Sequence, residues 1–124
     1  MARAAQVLIV DDSPEDVELL RRVLQSAGHK VRSAADVQAG LTMASAGRFD
    51  VIVLDHRFDN SPIVGISTVN EFAKWATAGV IMLTAFGDAE LEKDAKLLGA
   101  KAYLRKPVPA ETMLHAVEQV LAGR

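Results

Sequence analysis

Val7-Leu8-Ile9-Val10-Asp11-Asp12 decides the fold. Four consecutive aliphatic residues leave the segment no polar face. A run of this kind reads as a strand covered on both sides, the habit of a parallel sheet. Its abrupt end in two carboxylates marks where that strand leaves the core. The pattern recurs twice. Val51-Ile52-Val53-Leu54 runs into Asp55, and Val80-Ile81-Met82-Leu83 runs into Thr84-Ala85. Two weaker strands complete the set. His29-Lys30-Val31-Arg32-Ser33 alternates polar and apolar residues, and Lys101-Ala102-Tyr103-Leu104-Arg105 is charged at both ends. Both suit sheet edges, where one flank is less covered.

Helical patterns fill the intervals. Val17, Leu20, Leu24 and Ala27 recur at helical spacing, with Asp12 or Ser13 as candidate cap, Pro14 in the first turn and Gly28 as the stop. Val37, Leu41 and Ala44 mark a second helix ending near Gly47. Ile66, Val69, Ala73 and Ala76 mark a third, with Gly79 after it. Leu91, Ala95 and Leu98 mark a fourth, ended by Gly99. Met113, Val117, Val120 and Leu121 mark a fifth, downstream of Pro107 and Pro109. Strands alternating with helices predict an α/β fold with right-handed crossovers. The three apolar strands belong at the centre and the two mixed ones at the edges. That matches a flavodoxin-like (βα)₅ doubly wound parallel sheet of order 2-1-3-4-5.

Composition narrows the classes. The chain has 124 residues, 50% hydrophobic and 24% charged, with no cysteine and a formal charge of −2. This predicts one domain, residues 1–124, with a core over about 6–122. Disulfides, thiolate zinc sites and cysteine nucleophiles are excluded. No basic surface calls for nucleic acid, and no apolar run is long enough to span a bilayer. The expected setting is the cytoplasm. Five βα units consume nearly all the length, so no effector domain or substrate cap is expected within it.

In such sheets ligands bind beyond the carboxyl ends of the strands. Asp11, Asp12, Asp55, Thr84 and Lys106 all fall there. Two carboxylates about 4 Å apart repel by roughly 4 kcal/mol at an effective dielectric constant of about 20. Three such pairs approach the whole stability of a small domain, so the cluster needs a cation or raised pKa values. A hard divalent ion such as Mg²⁺ takes carboxylate, water and phosphate oxygens. Lys106 and Thr84 beside it complete a site suited to a phosphoryl group, with Asp55, at the end of the middle strand, as candidate nucleophile.

The segments Leu8-Ile9-Val10-Asp11-Asp12, Val53-Leu54-Asp55, Leu83-Thr84-Ala85 and Tyr103-Leu104-Arg105-Lys106-Pro107 make the chain resemble the receiver domains of two-component response regulators. The resemblance spans essentially the whole chain. It implies that Asp11, Asp12 and Asp55 hold Mg²⁺ or Mn²⁺, with the backbone carbonyl of Arg57 as a further ligand. It implies that Asp55 accepts a phosphoryl group from a phosphohistidine on a sensor histidine kinase or histidine phosphotransfer protein. Thr84 would bond the phosphoryl oxygen, Lys106 would pair with it, and Tyr103 would swing inward with Thr84. The surface of helix four, strand five and helix five would then change and reach a downstream protein target. Neither nucleic acid nor membrane is an implied partner, and the chain is expected to be a monomer or a weak homodimer.

The loop after Asp55 departs from the family. An apolar-Pro step and a Gly are usual there, whereas this chain has His56-Arg57-Phe58-Asp59-Asn60-Ser61-Pro62-Ile63-Val64-Gly65. Arg57 and Phe86 fall where the family tunes phosphoryl lifetime, and this bulky pair is expected to restrict water and slow dephosphorylation. Blander readings stand beside each residue. Asp11-Asp12 serves equally as a helix cap, Asp55 as a turn residue, Thr84 as a core-edge hydroxyl, Lys106 as a solvated charge and Tyr103 as edge packing. His29, His56 and His115 share no metal spacing and read as structural or surface residues. Phe72 and Trp75 read as core margin.

Four functions compete. The first is a phosphorylation switch, not an enzyme beyond its own phosphorylation and dephosphorylation. The second is an aspartyl-nucleophile phosphatase. Haloacid-dehalogenase-type enzymes place a second Asp two residues after the nucleophile, where this chain has Arg57. The third is a degenerate receiver acting as an interaction module without phosphorylation. The fourth, nucleotide or flavin binding, lacks a glycine-rich phosphate loop after the first strand.

Overall fold

A computed structural model describes residues 4–55, 68–85 and 89–123. The described elements alternate as expected: β1 (Gln6–Val10), α1 (Pro14–Ser26), β2 (Lys30–Ala34), α2 (Val37–Ala46), β3 (Phe49–Asp55), α3 (Val69–Ala73), β4 (Ala76–Thr84), α4 (Ala89–Leu97), β5 (Ala100–Arg105) and α5 (Ala110–Ala122). The strands pair in parallel in the order β2-β1-β3-β4-β5.

Each central strand sends alternate residues to two cores. Val7, Ile9, Val51, Val53, Ile81 and Leu83 pack with Leu20 and Leu24 of α1 and with Met113, Val117 and Val120 of α5. Leu8, Val10, Ile52, Leu54, Val80 and Met82 face the other way, onto Val37 of α2, Phe72 of α3 and Ala95 of α4. This two-sided burial is why the runs carry no polar residue. The edge strands differ as their composition requires: β2 alternates exposed and half-buried positions before buried Ala34, and β5 is exposed at Lys101 and Arg105.

Local chemistry sets the helix ends. The Ser13 hydroxyl accepts from the Asp16 amide and Pro14 opens α1, so of the two candidate caps Ser13 is the one used. Asp36 caps α2 through the Ala39 amide. Gly28 follows α1 at φ +91°, a left-handed conformation that costs glycine little.

Two helical expectations are corrected. The third stripe was expected to continue through Ala76 and stop at Gly79. Instead α3 ends at Ala73, Ala76 opens β4 and Gly79 lies inside that strand. Parallel pairing of Ala76 with Phe49 draws this segment into the sheet, and the register then shifts so that Gly79 faces Val51. Gly79 sits at φ +152°, where a Cβ would run into the Lys101 side chain. Pairing across the sheet has overridden a local helical period. Ile66, also assigned to that stripe, lies outside the described residues. In the fourth stripe only Ala95 is buried. Leu98 falls in the turn after α4 and is 38% exposed. Phe72 is fully buried, while Trp75, beyond the end of α3, is exposed.

Candidate functional site

The parallel sheet brings the carboxyl ends of β1, β3, β4 and β5 to one edge. Val10 pairs with Leu54, and Asp55 with Leu83, so the residues that follow these strands converge. Asp11 is 2% and Asp55 7% exposed. Asp12 is half-buried beside them. Asp11, Asp12 and Asp55 each offer a carboxylate oxygen, and these atoms lie within 4.8 Å of one another. An all-oxygen donor set of this size fits a hard divalent cation.

Lys106 enters this cluster from the loop after β5. Its amide donates to the Thr84 carbonyl at 2.7 Å, tying the loop to the end of β4. The peptide between Lys106 and Pro107 is cis. The Lys106 Nζ lies 3.0 Å from Asp11 Oδ2, 3.0 Å from Asp16 Oδ2 and 3.2 Å from Asp55 Oδ1. One ammonium thus serves three carboxylates. Asp11 is further fixed because its Oδ1 accepts from the Ser13 amide at 2.9 Å.

The charges remain unbalanced. Burial, and next the Asp11 charge, push the Asp55 carboxyl up to about 6. Lys106 opposes that rise and Asp12 adds to it. Burial alone would lower Lys106, but its hydrogen bonds to Asp16 and Asp11 outweigh that and hold the ammonium above its ordinary range. The edge therefore attracts further positive charge. A raised carboxyl within a cluster of this kind is also a marker of functional chemistry.

Thr84 is buried at the end of β4, one residue beyond the partner of Asp55. Tyr103 is half-buried on β5, opposite Met82, and packs against the core layer that contains Phe72 and Ala95. Beside Lys106 an apolar groove of about 290 Å³ runs between α1 and α5, past Leu19, Leu20, Val23, Val108 and Met113. Arg57, Phe86 and His56 lie outside the described residues. His29 is buried at the far end of the sheet and His115 is exposed on α5, so neither approaches the cluster.

Asp16 is the site residue that sequence reasoning passed over. A carboxylate in the first turn of a helix reads as an ordinary complement to the helix dipole. Its position on the turn directly after Asp11-Asp12 was the only signal that it faces the same edge.

Comparisons with known proteins identify the family. Residues 7–118 match the family model described as the response regulator receiver domain. The protein PilH of Pseudomonas aeruginosa is 33% identical over 96% of this chain and 99% of its own length. The chemotaxis protein CheY of Treponema pallidum is 32% identical, over 94% of this chain and 82% of its own. DctD of Pseudomonas aeruginosa is also 32% identical, but the match spans only 26% of its length. Among solved structures, Vibrio cholerae CheY4 aligns at a TM-score of 0.85 and 33% identity, over 96% of this chain and all of that one. A Burkholderia pseudomallei response regulator with a phosphorylated aspartic acid and a calcium ion aligns at 0.84 and 27% identity, over 94% of this chain and 68% of that one. With the acidic edge, the shared lysine and the family match in agreement, the chain belongs to the receiver domains of two-component response regulators.

Proposed function

We propose that the chain is a phosphorylation switch that accepts a phosphoryl group on Asp55 from a phosphohistidine donor, a sensor histidine kinase or histidine phosphotransfer protein. The observation that carries this is the approach of carboxylate oxygens of Asp11, Asp12 and Asp55 to within 4.8 Å while Lys106 is ion-paired with Asp11 and Asp55. An Asp55 oxygen forms the new bond to phosphorus as the phosphorus–nitrogen bond of the donor breaks and its electron pair stays on the donor histidine. Asp11, Asp12, Asp55 and the Arg57 carbonyl would hold a Mg²⁺ or Mn²⁺ ion. When bound, that ion offsets charge on the phosphoryl oxygens and the carboxylates. Lys106 bonds one phosphoryl oxygen and Thr84 another.

An added charge of about −2 at Asp55 biases a two-state element. Thr84 moves toward the phosphoryl group and Tyr103 fills the space it leaves, changing the surface formed by α4, β5 and α5 for a downstream protein. Arg57 and Phe86 restrict water and lengthen the phosphorylated state. The unit is residues 1–124 with its core over 6–122, acting in the cytoplasm as a monomer or weak homodimer, without nucleic acid or membrane as direct partner. Among the described residues no helix is long and apolar enough to cross a membrane. The reaction is confined to the protein's own aspartate.

The test is intact mass after incubation with a small phosphodonor and Mg²⁺. One phosphate adduct, lost in Asp55→Asn, is expected. No adduct favours the interaction module that works without phosphorylation. Turnover of many phosphate esters favours the phosphatase.

A further inference from the structure

Lys106 offers three ammonium hydrogens, and three carboxylates stand within bonding distance: Asp11, Asp16 and Asp55. In this state the ammonium donates to Asp11 and Asp16 and is ion-paired with Asp55. A phosphoryl oxygen arriving at Asp55 competes with these carboxylates for Lys106.

The three are not equivalent. Asp11 is 2% exposed, accepts from the Ser13 amide and belongs to the acidic trio. Asp55 carries the incoming group. Asp16 stands outside that trio, and its side chain is 45% exposed. Water can take over the hydrogen bond that Asp16 gives up. The helix also favours a carboxylate there, since Asp16 sits in the first turn of α1, whose cap is the Ser13 hydroxyl bonded to the Asp16 amide. Breaking the Asp16 bond therefore costs least of the three.

We infer that Asp16 is a positioning residue that holds Lys106 in the resting site and competes with the phosphoryl group for it, thereby weakening the phosphorylated state. This rests on the assignment of Asp55 as phosphoacceptor. The same contact has two consequences. It keeps Lys106 at the acidic edge before the donor arrives, and it must be broken once the phosphoryl group is in place.

Beryllofluoride in the presence of Mg²⁺ reproduces the shape and charge of a phosphoryl group on a carboxylate without turnover, so its equilibrium affinity reads the competition directly. Asp16→Asn should bind it roughly three- to tenfold more tightly than wild type, the range expected for removing one partly exposed charged competitor. Asp16→Glu keeps the charge and should return most of the way to wild type. Glu15→Gln removes a neighbouring exposed carboxylate of the same turn that does not bond Lys106, and should change affinity less than twofold. Equal affinities for wild type and Asp16→Asn overturn the inference. So does a gain of the same size in Glu15→Gln, because the effect would then be general charge rather than competition for Lys106. If wild type takes up neither beryllofluoride nor a phosphate adduct, the assignment of Asp55 itself fails. Thermal unfolding of each variant, with a transition as cooperative as that of wild type, verifies that every affinity refers to folded protein.

Discussion

The two ends of the sheet pair polar groups in opposite ways. At the amino end each has a partner suited to it. The His29 Nδ1 accepts from the Ala5 amide at 3.0 Å. Asp50 accepts from the Gln6 amide at 2.8 Å and from the Thr77 hydroxyl at 3.0 Å, joining β1, β3 and β4. At the carboxyl end three carboxylates share one ammonium with a fourth acidic group close by, and Asp55 stays strained toward its protonated form. One end uses polar groups to fix strand positions. The other keeps an unbalanced charge whose relief comes from outside the chain. A fold tolerates such local conflict at a functional site when the rest of the structure is consistent.

The contrast makes aspartate substitutions differ in sign. The largest expected effect is at the amino end. Asp50→Ala removes two hydrogen bonds and leaves the Gln6 amide without that acceptor, so it should destabilise by about 2–3 kcal/mol in urea unfolding. At the carboxyl end, Asp55→Asn should stabilise the metal-free protein at pH 7 by about 1–3 kcal/mol, since it removes a charge that folding disfavours. Equal losses at the two positions would erase the distinction between the ends.

Metal comes next. Mg²⁺ at about ten times its dissociation constant should stabilise wild type by about 1.4 kcal/mol. The gain should shrink in Asp55→Asn, which has lost a ligand charge, and stay intact in Asp50→Ala. Thermal shift measured against Mg²⁺ concentration checks this.

The smallest net effect is in pH dependence, where the two ends should oppose each other. The Asp55 carboxyl rises from 3.8 to about 6 on folding, so between those values the folded chain holds a proton that the unfolded chain lacks. Its stabilising contribution is complete below pH 3.8 and is lost as pH rises through about 6. Burial lowers His29 from its ordinary 6.5, with the Glu118 charge opposing. There the unfolded chain binds the extra proton, so stability is lost as pH falls below 6.5. Metal-free unfolding from pH 7.5 to 4.5 should show His29→Gln removing the acid-side loss and Asp55→Asn removing the acid-side gain.

Much of this was legible in the residues. Val7–Val10, Val51–Leu54 and Val80–Leu83 announced central strands because burial on both faces admits no polar side chain. Asp11, Asp55, Thr84 and Lys106 were legible as a group because a parallel sheet sends the ends of its strands to one edge. What escaped was decided across the sheet. Ala76 fits a helical stripe until its pairing with Phe49 is known, and Gly79 resembles a helix stop until Lys101 is seen against it. Asp16 resembles a first-turn acid until Lys106, ninety residues later, is brought to it. The roles of Arg57 and Phe86 belong to residues outside those described and stand as proposals.

The central claim is that the carboxyl end holds Asp55 out of electrostatic balance until a cation arrives. The most direct measurement is a carbon-detected NMR titration of the Asp55 side-chain carboxyl, without metal and with saturating Mg²⁺. The account predicts a midpoint near 6 in the metal-free protein, moved well down by Mg²⁺. A midpoint in the ordinary carboxylate range, unmoved by Mg²⁺, would contradict it.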